Sequence, residues 1–273
     1  MTNNIKTNDL SLSILPDEIF YKIFKNNTPE ERFQMMMIKN KKIWNVLADY
    51  ELLVDIPSKD IDFVMRILNT YGNYRYKCEE NGKSYYKKIL FSIDLKYRKI
   101  KIMSMPSNVH TLNLSQTKVT DVSMLSSLHT LDISYTRVSD VSMLGSLHTL
   151  NLEGTDVTDV SKLGSVYNLN ITGTEVTDFS MLGSVHTLSL SCTNVSDVSM
   201  LGGVHTLDIS QTDVTDVSML GGVHTLDLSD TNVSDVSMLG YLYSLNLSNT
   251  LVTDVSMLGG IHVLNLVNRE YYY

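Results

Sequence analysis

The seven histidines of this 273-residue chain are His110, His129, His148, His186, His205, His224 and His262, separated only by 19 residues or twice 19; Tyr167 and Tyr243 fill the two skipped places. A fixed period of this length marks a stacked array, in which each copy is one small unit that buries its apolar face only against its neighbours. From Leu112 the unit reads LxLxxTxVxDVSxLxxLHT, and further copies begin at Leu131, Leu150, Leu169, Leu188, Leu207, Leu226 and Leu245, giving eight consensus units over 112–263. A degenerate unit over 93–111 precedes them, with Arg98 in the Thr place and Pro106 in a Leu place, and a partial unit over 264–273 follows. In the first full unit the aliphatic places are Leu112, Leu114, Val119, Val122, Leu125 and Leu128, all expected to point inward. Burying six such side chains does not offset the backbone entropy of ordering 19 residues, so a lone unit is not expected to fold and stability should be collective.

The alternation Leu112-Asn113-Leu114-Ser115 is the period-two mark of a short strand with one buried face, and stacked copies of it make a parallel sheet. On these residues the array resembles the leucine-rich repeat, with Thr117 and its copies in the place that family gives to Asn. The unit of 19 residues is shorter than the usual 20–29, which leaves little room for a return helix. The segment Asp121 to Leu128 and its copies is therefore expected to form short turns or 3₁₀ stretches. The fold class that follows is an α+β repeat protein: a small N-terminal helical domain, then a solenoid over 93–273 with a parallel sheet on one face and turns on the other.

Every repeated residue makes a column along such a solenoid. The Thr hydroxyls are expected to bond turn backbone, with an ordered-water face as the alternative. Asp121 and its seven copies sit in a T/S-D-V-S frame and are expected to accept backbone N–H bonds at the start of each turn, with cation binding as the alternative. Replacement of His by Tyr at 167 and 243 disfavours metal ligation and points to an edge ladder of stacked rings that loses stability below about pH 6. The Met column is broken by Lys162, so that place is at least partly exposed; partial packing of the thioethers is expected rather than a docking ridge.

Composition excludes several functions. Residues 1–92 carry 14 basic and 12 acidic groups and residues 93–273 carry 8 and 18, so the overall charge of −8 belongs to the array and disfavours nucleic acid as a partner. Two cysteines, Cys78 and Cys192, fit a reducing compartment, and no apolar run is long enough to cross a bilayer. A cytoplasmic protein with no membrane partner, no cofactor and no metal is expected. A catalytic site needs one residue in an unusual setting, whereas each Ser, His or Asp of the array has near-identical siblings; no phosphate-binding loop, HExxH or CxxC is present. No enzyme is expected.

Outward strand residues are the usual recognition surface of solenoids, and here they are small and polar, among them Asn113, Asp132 and Asn151. Departures from the consensus say more, because stacking does not require them. Lys118, Tyr135 and Arg137 are the candidate target-binding residues, since aromatic and Arg side chains anchor interfaces; Glu153, Asp156 and Glu175 follow in the next units.

Ahead of the array the 19-residue period is absent. After a flexible 1–11, three amphipathic helices are expected over 12–50, a capping or linking region over 51–92 with a helix over 56–69, and a hairpin turn at Asn81-Gly82. Leu15, Pro16, Glu18, Ile19, Ile23, Ile38, Trp44 and Leu47 resemble the F-box. That resemblance implies a substrate-receptor subunit, a monomer outside its complex, whose Leu15, Pro16, Ile19, Ile23 and Trp44 dock on a Skp-type adaptor of a cullin-type ubiquitin ligase while the solenoid holds an unknown target protein. The alternative is a plain repeat module with a helical cap. The near-identical copies beside an Asn, Lys and Tyr-rich leader are also similar to repeat proteins of giant DNA viruses of amoebae, in which case the ligase and the cytoplasm are the host's.

Overall fold

The computed structural model describes residues 53–56, 75–80, 83–88, 90–97 and 109–267. The chain divides into two compact units, one of Met1–Asp94 with Pro106–Thr111 and one of Leu95–Met105 with Leu112–Tyr273. In the first, β1 (Leu53–Ile56) pairs in parallel with β4 (Leu90–Asp94), Leu53 facing Leu90 and Ile56 facing Ile93. Between them in sequence, β2 (Arg75–Glu80) and β3 (Lys83–Lys88) form an antiparallel pair in which Glu80 faces Lys83, the hairpin register expected for Asn81-Gly82. The region expected as a cap or linker with a helix from Ile56 onward thus contributes strands where it is described, and Ile56 belongs to β1. The helices expected over 12–50 lie outside the described residues, and with them Leu15, Pro16, Ile19, Ile23 and Trp44.

The second unit holds the solenoid from Leu112 onward, the strand Val109–Asn113 straddling the boundary between the units. Strands β5 (Val109–Asn113), β6 (Thr130–Asp132), β7 (Thr149–Asn151), β8 (Asn168–Asn170), β9 (Thr187–Ser189), β10 (Thr206–Asp208), β11 (Thr225–Asp227), β12 (Ser244–Asn246) and β13 (Val263–Asn265) follow the period. From β6 to β13 each strand pairs in parallel with the next, like residue on like residue: Leu207 lies between Leu188 and Leu226. A slip of one residue would turn every buried leucine outward, so identical units fix the register. The ladder runs on past the strands, with the Leu114 N–H donating to the Asp132 carbonyl at 2.7 Å and the Gln116 N–H to the Ser134 carbonyl at 2.8 Å.

Three i to i+3 turns close the rest of a unit: the N–H groups of Thr117, Leu125 and Leu128 donate to the carbonyls of Leu114, Val122 and Leu125. The middle one is a 3₁₀ turn at Ser123–Leu125, repeated at Ser180–Leu182, Ser199–Leu201, Ser218–Leu220, Ser237–Leu239 and Ser256–Leu258. All six aliphatic places of the first full unit are buried, from 0% exposed at Leu112 to 5% at Val119. The turns also approach closely: a Cβ on Gly183 would lie 2.4 Å from the Met200 carbonyl oxygen of the next unit, so only glycine fits there without displacement. At the last strand the burial ends, and Leu264, Leu266 and Val267 are exposed.

Candidate functional site

The solenoid surface is assembled from columns, several of which are occupied in building it. Each Thr hydroxyl from Thr117 to Thr250 donates to the carbonyl three residues back, at 2.5–2.8 Å, and at Thr117, Thr155, Thr174, Thr193 and Thr250 the residue's own N–H donates to that same carbonyl. From Thr117 to Thr231 these residues are buried, and they act as turn locks, as the sequence predicts. Asp121 and its copies accept the N–H of the Ser two residues on at 2.8–3.0 Å, one Asx turn ahead of every 3₁₀ turn or its equivalent. Those bonds hold all eight carboxyls below the ordinary Asp value. The Ser backbone N–H is the larger cause except at Asp178, where the Ser180 hydroxyl leads.

The outward strand column serves the same purpose, which the sequence reading missed. Asn113, Asp132, Asn151, Asn170, Asp208, Asp227 and Asn246 each accept the N–H two residues on at 2.8–3.1 Å. Ser189, the one residue there without a reaching carbonyl or carboxylate oxygen, instead donates its hydroxyl to Asp208 Oδ2 at 3.2 Å. The predominance of Asn and Asp in that column, broken only at Ser189, was the available signal. Its oxygens are engaged by the chain itself, so this column is less of a recognition surface than its outward position suggests.

The ring ladder forms as expected. His129, His148, Tyr167, His186, His205, His224, Tyr243 and His262 stack in sequence with centroids 4.3–5.0 Å apart and planes within 13–21°. Nδ1 of His148 lies 3.1 Å from the Thr149 hydroxyl, and the same pairing recurs at His110, His129, His205 and His224. Burial in the stack, and secondarily the charge of His148, lowers the pKa of His129 from 6.5.

One column was not foreseen. Tyr97, Gln116, Tyr135, Gly154, Gly173, Cys192, Gln211, Asp230 and Asn249 all take left-handed backbone, with φ between 55° and 64°. The chain must reverse there to leave the strand, whatever side chain it carries. Tyr135, Gln116, Cys192 and Gln211 pay a conformational cost at this place that glycine does not.

Of the candidate binding residues, Lys118, Tyr135 and Arg137 are all exposed. Lys118 and Arg137 occupy the same place of successive units, and Tyr135 sits two residues before Arg137 on the exit from β6. The Tyr135 ring covers Gly154 of the next unit, where a Cβ would lie 2.8 Å from it, and its hydroxyl donates to the Glu153 carboxylate, which raises the Tyr135 pKa. Asp156 and Glu175 continue the Lys118 and Arg137 column, so its charge reverses within four units.

Among the described residues no group of three or more His, Cys, Asp or Glu could hold a metal ion, and no helix is long and apolar enough to cross a membrane. No family model and no curated protein matches the chain. Solved structures do share its architecture. A leucine-rich-repeat protein of Leptospira interrogans superposes with a TM-score of 0.50 at 17% identity, over 63% of this chain and 54% of that one. TLR13, solved with ssRNA13, gives 0.50 at 17% identity over 64% of this chain and 32% of its own. An internalin of Listeria monocytogenes gives 0.48 at 21% identity over 62% and 66%. The chain thus spans about two thirds of the internalin and a smaller share of the other two. With 19-residue rungs, a parallel sheet and 3₁₀ turns, the fold of residues 109–267 is that of a leucine-rich-repeat solenoid.

Proposed function

We propose that this chain works by binding proteins and performs no chemistry of its own, as the substrate-receptor subunit of a Skp-cullin-type ubiquitin ligase. In this reading the F-box-like segment docks on the adaptor through Leu15, Pro16, Ile19, Ile23 and Trp44, in the cytoplasm, the host's if the protein is viral. The solenoid holds the target at the edge carrying Lys118, Tyr135 and Arg137. The observation that carries the binding role is that these three side chains are exposed and differ from unit to unit, while the turn-locking Thr and the Asx-turn Asp are the same in all eight units. TLR13 was solved with an RNA, but an array with 8 basic and 18 acidic residues over 93–273 repels a phosphate backbone, so the partner proposed is a protein.

A pull-down with a Skp-type adaptor, comparing the full chain with its Leu15→Asp plus Ile19→Asp variant, tests the ligase role. Capture by the wild type and loss in the double variant are expected. Absence of wild-type capture removes the ligase role and leaves the repeat module with a helical cap. Affinity capture with Tyr135→Ala plus Arg137→Glu tests the target edge: the target band should fade while the adaptor band stays.

A further inference from the structure

Two open places of the unit behave differently across the eight copies. The residue after the buried Thr changes from Lys and Arg through Asp, Glu and Asn to Leu between residues 118 and 251, every one of them exposed. The middle residue of the turn is equally open, 61% exposed at Met124 and 63% at Met257, yet it is methionine in seven copies of eight. Lys162 in the remaining copy shows that neither stacking nor the turn demands a thioether. The fold therefore gives no reason for an apolar side chain at this open place, and exposed apolar stripes of this kind mark interaction surfaces.

The stripe lies beside the Asp column. A hollow of about 240 Å³ between neighbouring turns is lined by Asp216, Asp235 and Met238. Another of about 210 Å³ is lined by Asp121, Asp140 and Met143. Each offers two carboxylates and a thioether. In the hollow lined by Asp140 and Asp159, Lys162 stands where methionine stands elsewhere, and its ammonium helps keep Asp159 ionised. The chain itself thus places a cation in the setting that the other hollows repeat. Between the first and last methionine the two stripes run side by side for about 34 Å at about 4.8 Å per unit.

We infer that this turn face docks a basic amphipathic α-helix of a partner protein, its apolar side on the methionine stripe and its Lys or Arg side chains over the Asp column. A helix advances 5.4 Å per turn, close to the unit spacing, whereas same-face residues of a strand recur every ~6.7 Å. Unbranched thioethers adapt to the side chains of such a helix. A second copy of this chain would set Asp column against Asp column, and an anionic lipid surface would be repelled in the same way.

The test uses the full chain and a fluorescein-labelled helix of about 22 Leu and Lys residues, with the leucines on one face, matched by a scrambled peptide of the same composition. Fluorescence anisotropy should show the amphipathic peptide binding at least about tenfold tighter than the scrambled one. Met200→Gln, Met219→Gln and Met238→Gln together should weaken it by about tenfold or more with the circular dichroism spectrum unchanged, and Lys162→Met should tighten it. Equal binding of both peptides, unaltered binding by the Gln variant, no tightening by Lys162→Met, or no binding by the wild type would each overturn the inference. So would self-association of the free chain that the Gln variant abolishes, which gives the stripe to a second copy.

Discussion

At the residue scale, the constant columns are structural devices and their worth can be measured singly. The Thr212 hydroxyl is buried and donates to the Ile209 carbonyl at 2.6 Å. Thr212→Val should lower the free energy of unfolding by about 1–2 kcal/mol, read as a shift of the urea midpoint. The left-handed column allows backbone strain to be isolated from packing. A Cβ on Gly173 meets nothing within 4 Å, yet φ there is 64°, so Gly173→Ala should cost about 1 kcal/mol with no clash to explain it. Gln116→Gly, at φ 56°, should be neutral or slightly stabilising, and a loss comparable to that of Gly173→Ala would contradict this account of the column. The Thr and Asp roles were legible in the sequence because each place admits one chemistry. The left-handed place was not, because its φ is set by the turn and the side chain varies freely; only Gly154, Gly173, Asp230 and Asn249 hint at it.

At the scale of the element, the ring ladder and the Asx turns set the response to acid. His129 is depressed below 6.5 by burial and by His148, so folding disfavours its protonated form. Above that value the ring is neutral in both states; as pH falls through it the unfolded chain takes the proton more readily and stability declines. The Asp carboxyls are also depressed, from 3.8, by the Ser N–H bonds. Their contribution is complete above that value and is lost as pH falls below it. Melting followed by circular dichroism should therefore show a decline beginning between pH 7 and 6 and a second below pH 4. A Tm unchanged between pH 7.5 and 5 would deny the ladder its part. The ladder was legible in the spacing of His and Tyr alone, since one period carries rings of equal reach. That the Asn and Asp column on the strands bonds its own turns was not legible, because a turn-bonding oxygen and a ligand-facing one look alike in sequence. The methionine place, expected to be at least partly exposed with its thioethers partly packed, is about three-fifths exposed at Met124 and Met238, which leaves that face open for a partner.

For the whole molecule, 19 residues is the unit of register as well as of sequence in the array, because from β6 to β13 each strand pairs like on like with the next. Stability should then scale with the number of rungs, and removing one rung should leave its neighbours able to pair in the same register. Departures such as Lys118, Tyr135 and Arg137 ride on this frame without altering it, which is how one repeated scaffold can carry a local binding edge. The most direct measurement is a matched pair of internal deletions in the full chain, one removing residues 207–225 and one removing residues 207–224. The first takes out one whole unit and should melt in a single cooperative transition at a slightly lower Tm. The second leaves the units one residue out of step and turns buried leucines outward, so it should lose cooperativity or aggregate. If both deletions melt alike, the stacked, register-locked solenoid is wrong.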